Sequence, residues 1–307
     1  MKASPSSLPP AHARIDLVRI GSLLVAAQPP WPLDVVNATG STNADLAAQL
    51  KSLPRTRHAL PQPIVRVAYE QTAGRGRQGR PWFAQPGNAL LCSVACVLPR
   101  PVDSLGGLSL AVGTALAEGL AALPLAPDRG IALKWPNDLL GTHTHDGAIL
   151  LTGKLAGILI ETVWHTREAT AAVIGFGINV SGAEAVAADV AALRERNAAQ
   201  VGALPPDALS SAWPDANLTD TLAAALNALS PALALFGAQG FAPFRPRWNA
   251  LHAHAGREVV LLEQGVEIAR GIATGVDENG QLLLDTPAGR QAIAAGDVSL
   301  REPGSQP

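Results

Sequence analysis

Apolar residues in this chain follow two rhythms. Short runs rich in Val, Ile, Leu and Ala recur at Leu33–Asn37, Ile64–Tyr69, Ala89–Leu98, Ile131–Lys134, Leu155–Val163 and Ala171–Phe176. Gly, Pro, Asn and Asp break the chain between them, so each run predicts a β-strand. Two longer stretches, Leu105–Leu123 and Thr219–Phe236, are rich in Ala and Leu and predict helices; Pro231 falls inside the second and is expected to kink it. A third helix is expected from Ser41 or Thr42 to about Leu53, because a hydroxyl there can accept a free N–H and Asp45 falls in the first turn. Gly240–Leu251 predicts one more short helix. From Arg257 the pattern changes to short alternating runs, Glu258–Leu262, Ile268–Val276, Gln281–Leu284 and Gln291–Ile293, with Asn279-Gly280 as a hairpin signal.

Strands in hairpin-like order around an early helix predict an α+β fold with a mixed sheet and packed helices, not alternating βαβ units. The change of texture near 255 divides the chain into an N-terminal extension (1–30), a main domain (31–254) and a small β-domain (255–307). The extension is below the roughly 50 residues of a self-standing domain and has room for one short helix. Its start, Met1–Pro10, is expected to be disordered. Ser181–Leu218 is expected to be partly loop, with a helical alanine-rich patch.

Composition adds little. The 48% apolar fraction suits a globular protein, and a net charge of −2 gives no reason to expect nucleic acid or an acidic membrane as partner. Ile15–Ala27 is interrupted by Arg19 and too short to span a bilayer. Cys92 and Cys96 would share one strand face, too far apart to bridge, and read as buried reduced thiols of a cytoplasmic protein.

The densest chemistry is Gly74–Arg80, with three glycines and three arginines in seven residues. Glycines lose much backbone entropy on ordering, and the arginines repel until an anion sits among them. The loop therefore reads as a phosphate or carboxylate site, with a solvated basic loop as the bland alternative. Gly74-x-Gly76-x-x-Gly79 also fits the dinucleotide fingerprint, but Pro81, Pro86 and Gly87 deny it the required helix, and no acidic residue lies between Glu70 and Asp103. Kinase and Walker loops lack their companion motifs. His143-Thr144-His145-Asp146, between Gly141 and Gly147, reads as a solvated loop ahead of a metal site; His252 and His254 read as structural.

Further motifs stand at strand and helix ends: Ser41-Thr42-Asn43, Glu70–Trp82, Lys134-Trp135-Pro136-Asn137-Asp138-Leu139, Gly153–Glu161 and Gly175-Phe176-Gly177-Ile178-Asn179-Val180. With these five in order, the chain resembles the biotin protein ligase family from about Leu33 to about Leu300. The resemblance implies a class II synthetase-like catalytic domain and a small C-terminal SH3-like β-barrel. It implies ATP-dependent, AMP-forming chemistry with Mg²⁺: biotin becomes biotinyl-5′-AMP, then passes to a lysine of a biotin carboxyl carrier domain of the acetyl-CoA carboxylase type.

By that resemblance, Ser41, Thr42, Asn43, Gln71, Arg75, Gly76, Arg77, Lys154 and Gly157 bind biotin. Arg77, Arg80, Trp82, Asn137, Asp138, Lys154 and Asn179 bind the adenylate; Lys154 and Arg77 are the catalytic cations; Asp138 helps place Mg²⁺. Leu155–Ile160 would wall the biotin tail. Family members that double as repressors carry a DNA-binding domain ahead of the catalytic one. Here about thirty residues precede the first strand, so DNA binding is not expected. A homodimer stays open. The Gly141–Gly153 link is longer than usual, and Gly153 replaces a frequent arginine. A lipoate or octanoate transfer enzyme of the same fold is the nearest rival, and a non-catalytic biotin- or nucleotide-binding regulator is another. The arginine loop is expected to be poorly ordered in an empty site.

Overall fold

The structure is a computed structural model that describes residues 9, 13–25, 30–196, 204–263, 266–294 and 298–301. Met1–Leu8, and with them most of the segment expected to be disordered, lie outside the described residues. The chain begins with α1 (Leu17–Leu23), β1 (Leu33–Thr39), α2 (Thr42–Lys51), β2 (Ile64–Gln71), β3 (Ala89–Leu98) and α3 (Leu108–Ala121). There follow β4 (Arg129–Lys134), β5 (Asp138–His145), β6 (Ala148–His165), β7 (Thr170–Asn179), α4 (Ala183–Arg196), α5 (Leu218–Gln239) and α6 (Arg245–Ala250). The last elements are β8 (Glu258–Glu263), β9 (Val266–Val276), β10 (Leu282–Thr286), β11 (Gly289–Ile293) and β12 (Val298–Arg301).

Seven strands form one mixed sheet in the order β1-β2-β3-β7-β6-β5-β4. Only β1 and β2 run parallel, with α2 as part of their crossover; the other neighbours are antiparallel. The interior strand β3 is buried along nearly its whole length, which accounts for its apolar run. One sheet face carries Leu90, Cys92, Val94, Cys96, Ile158, Ile174 and Phe176 and is covered by α3 and α5. These two helices approach so closely that a Cβ on Gly119 would lie 2.7 Å from Ala228. Burial pushes the Cys96 thiol up to about 12 and Cys92 higher still, so both stay protonated.

The other face is only half covered. Leu46 and Leu50 of α2 pack on Ala95, Trp164, Ala171 and Val173 at one end of the sheet. A ten-residue helix is about 15 Å long. A ten-residue strand such as β7 is about 34 Å long. The remainder of that face, beyond the N-terminus of α2, stays open.

The second sheet has five antiparallel strands in the order β11-β10-β9-β8-β12. Val259, Leu261, Ala273, Val276, Leu282 and Leu284 continue the main apolar core. Its β9–β10 turn docks on the first sheet's helices: Trp135 Nε1 donates to Gly280 O at 3.0 Å, and a Cβ on Gly280 would lie 2.7 Å from Gly107. Val276 N–H donates to Asn249 Oδ1 at 3.0 Å. Trp248, His252 and His254 are buried beside this junction, with ring centroids 4.7 Å apart for Trp248–His252 and 6.3 Å for His252–His254.

Several segments differ from the sequence expectations. The Gly141–Gly147 stretch is not a loop: β5 continues through His145, and Asp146-Gly147 turn the chain with φ of 49° and 76°. An Asp-Gly hairpin signal was present, but the flanking His and Thr residues masked the strand. His143 Nε2 pairs with Asp128 Oδ2 at 2.9 Å and His145 with Asp146 at 3.5 Å. The alanine-rich patch is the helix α4. In the N-terminal extension, Asp16 caps α1, its N–H donates to Thr219 Oγ1, and Arg19 pairs with Asp220, so this segment lies against α5. By length and composition α5 could cross a membrane; here Leu222, Leu226, Leu229 and Phe236 are buried against the core.

Candidate active site

The open half of the sheet face is a cleft, and its floor is written into β7. Side chains facing α2 run Ala171, Val173, Gly175, Gly177, Asn179. The first two carry α2; the glycines remove the floor's side chains. A Cβ on Gly175 would collide with Asn43 Oδ1, and one on Gly177 would lie 2.5 Å from the Trp82 ring. Gly177 pairs with Gly157 of β6, so two bare backbones lie side by side beneath Trp82.

The cleft brings together every sequence-predicted site residue. Ser41, Thr42, Asn43, Gln71, Arg75, Gly76, Arg77, Arg80, Trp82, Asn137, Asp138, Lys154, Gly157 and Asn179 all line it. So does Lys134, which opens the Lys134–Leu139 motif, and so do Ser93 and, from α4, Val186 and Val190, which no motif marked.

At one end is a polar relay. Gln71 Oε1 accepts from Thr42 N–H (2.8 Å) and from the Thr42 hydroxyl (3.1 Å). The Thr42 and Ser93 hydroxyls lie 2.7 Å apart, and Ser93 Oγ donates to Asn43 Oδ1 at 2.6 Å. Asn43 Nδ2 donates to Glu161 Oε2 at 2.7 Å, and Glu161 lies 3.9 Å from Arg75 Nη2. Ser93 is fully buried in an apolar strand, where a hydroxyl needs partners. That lone serine was the available signal for it. Glu161, which closes the Gly153–Glu161 motif, ties this relay to the arginine loop.

The loop itself is a small hairpin folded over the cleft. Gly76 N–H donates to Arg80 O at 2.7 Å, Arg80 N–H to Arg77 O at 3.2 Å and Trp82 N–H to Gly74 O at 3.0 Å. Gln78 and Gly79 turn it with φ of 58° and 70°. Two positive φ angles in sequence suit a tight hairpin turn.

At the other end, Lys154 Nζ pairs with Asp138 at 2.7 Å and lies 5.6 Å from the Trp82 ring centre. Burial alone would raise the Asp138 pKa; Lys154, Lys134 and Arg77 outweigh it and hold the carboxyl below its ordinary value. Asp138 is the one carboxylate lining the cleft among the described residues. Asn137 commits its amide nitrogen to Ile158 O at 2.7 Å, pinning the Trp135-Pro136 turn to β6. Asn179 Nδ2 donates to Lys154 O (3.2 Å) and Asp207 O (2.9 Å). A glycine floor, an arginine hairpin and a second cationic centre form a site built for two anions.

Comparison with known proteins agrees with this geometry. Residues 43–179 match the Biotin/lipoate A/B protein ligase family, and residues 254–301 match the biotin protein ligase C terminal domain. The biotin-(acetyl-CoA-carboxylase) ligase of Paracoccus denitrificans is 34% identical over 85% of this chain and 97% of its own length. The chain belongs to the biotin protein ligase family. The Mycobacterium tuberculosis relative of the same description is 36% identical, covering 90% of this chain and 91% of its own. Among solved structures, the Aquifex aeolicus biotin protein ligase in complex with biotin and ATP superposes with a TM-score of 0.61 at 25% identity, covering 88% of this chain and 99% of that one.

Proposed function

We propose that this member of the biotin protein ligase family activates biotin with ATP to biotinyl-5′-AMP and transfers it to a lysine of a biotin carboxyl carrier domain. The carrying observation is the pairing of the arginine hairpin with Lys154 across one glycine-floored cleft. The biotin carboxylate and the α-phosphate must meet, and each unit charge pair about 4 Å apart at an effective dielectric near 20 is worth about 4 kcal/mol. Arg75, Arg77 and Lys154 offset that repulsion and the charge that develops between the reacting groups. Little proton transfer is needed for activation.

The relay of Gln71, Thr42, Ser93 and Asn43, with Ser41 at the cap of α2, supplies donors and acceptors for the ureido ring. Gly157 and Gly177 admit the flat adenylate base beside Trp82. Asn179 has its amide nitrogen engaged within the protein, so Oδ1 is the atom assigned to the adenine edge. Arg80 lies at the nucleotide end of the hairpin. Mg²⁺ generally keeps few protein ligands beside substrate phosphates, and a single carboxylate such as Asp138 fits that pattern. The ion neutralises phosphate charge when bound. We assign residues 31–254 to the catalytic domain and 255–307 to the small β-domain, and place the protein in the cytoplasm, where carrier domains are made.

The test is to mix the protein with biotin, ATP and a carrier domain and to weigh the carrier. A gain of one biotinyl group is expected; biotin binding with no mass gain would overturn the proposal in favour of a regulator. ATP–pyrophosphate exchange supported by lipoate and not by biotin would transfer it to the lipoate reading.

A further inference from the structure

Lys154 is held by its backbone as well as by its side chain. Residues 204–208 run beside β6 as a short strap, with Pro206 bridged in parallel to Lys154. Lys154 N–H donates to Pro205 O at 2.7 Å, and Asp207 N–H donates to Lys154 O at 2.9 Å. Asn179 Nδ2 joins the same two strands through Lys154 O and Asp207 O. The Asp207 carboxylate secures the strap: Oδ1 accepts from Ala208 N–H at 2.8 Å, and Oδ2 accepts from the Thr152 hydroxyl. Thr152 lies two residues before Lys154 on β6. Close approach is built in beneath. A Cβ on Gly153 would lie 2.5 Å from Pro205 O, and one on Gly141 would collide with Asp207 Oδ2. The strap therefore explains why glycine stands at 153, where the resemblance leads one to expect arginine.

We infer that Asp207 is a positioning residue for the adenylation step. It fastens the strap to β6 through Thr152 and so fixes the point from which the Lys154 side chain projects. This rests on the reading of Lys154 as the cation at the reacting oxygens. A strap released from Thr152 lets the Lys154 backbone shift, and a misplacement of about 1 Å costs up to about a hundredfold in rate. The surfaces formed by the arginine hairpin and the α2 relay do not pass through the strap, so biotin affinity is left in place; Leu204 and Pro206 line the cleft and Asn179 bonds to Asp207 O, so ATP affinity follows the strap.

The experiment is biotin-dependent ATP–pyrophosphate exchange with Asp207→Ala, Thr152→Val, Asp207→Asn and, separately, Lys154→Ala. Asp207→Ala and Thr152→Val remove the tie from opposite sides and are expected to lower kcat about tenfold to a hundredfold, with KM for biotin within about twofold. Asp207→Asn retains most of the rate, because its amide can still accept from Ala208 N–H and donate to Thr152. Wild-type kcat in both Asp207→Ala and Thr152→Val, or a loss confined to KM, overturns the inference while a depleted Lys154→Ala upholds the parent reading. Wild-type turnover in Lys154→Ala overturns the parent reading itself. If Asp207→Ala does not fold, Thr152→Val carries the same decision, with its thermal melting curve confirming the fold.

Discussion

Two buried polar regions lie on either side of the β4–β5 turn, and they treat charge in opposite ways. In the cleft, Asp138 is desolvated yet kept ionised by Lys154, Lys134 and Arg77. At the junction with the second sheet, His252 is buried, but neither ring nitrogen has a hydrogen-bond partner among the described residues. Burial, and then the neighbouring His254, lowers its pKa from 6.5 to about 4. One region maintains charge beside an open cleft. The other suppresses charge so that two sheets can share one apolar core. Burial alone therefore does not mark a site; burial with retained opposite charges and an open side does.

The largest effect should come from the charged region. Lys154→Ala is expected to lower adenylation about 10²–10³-fold while thermal melting changes little. An equally large drop in melting temperature would break the contrast, because it would make Lys154 a structural ion-pair member. The second test reads the neutral region. The folded-state pKa of His252 is depressed, so its contribution is full above pH 6.5 and is lost as pH falls toward 4. That depression corresponds to about 3 kcal/mol. Melting measured from pH 7 to pH 4 should show that loss, and His252→Phe should flatten it; the same slope in both proteins would clear His252.

A smaller effect is expected from the relay. Ser93→Ala removes the link between Thr42 and Asn43 and should weaken biotin binding about tenfold, or about 1.4 kcal/mol, by titration with biotin alone. Unchanged affinity would make Ser93 a packing residue. The smallest concerns the sheet-to-sheet contact: Trp135→Phe loses the bond to Gly280 O, worth about 1 kcal/mol or about 2–4 °C in melting temperature. Loss of activity without that shift would instead attach Trp135 to the cleft.

Local chemistry made much of this legible. Ala89–Leu98 reads as a strand from end to end because it lies inside the sheet with nearly every residue buried, and Ser41 reads as a cap because a hydroxyl ahead of a helix has few other uses. The cleft residues were legible because they stand in compact motifs. Asp207 was not: Pro205-Pro206-Asp207 looks like any polar connection until the fold lays it beside Lys154, over fifty residues earlier in the chain. The end of β7 was misplaced in another way. The strand was expected to end at Phe176. It runs on to Asn179, and the missing side chains of Gly175 and Gly177 are the cavity itself.

That floor limits how the protein can change. Gly157, Gly175 and Gly177 leave main-chain atoms as the bottom of the cleft, and each Cβ added there meets Trp82, Lys154 or Asn43. A wall made of side chains can be retailored one substitution at a time; a wall made of peptide groups cannot. Room for a bulkier group over that floor would have to come from the roof, through Trp82 and the hairpin that carries it. For anyone re-engineering ligand choice, library diversity belongs in residues 74–83, and the three glycines are best left as a fixed mould.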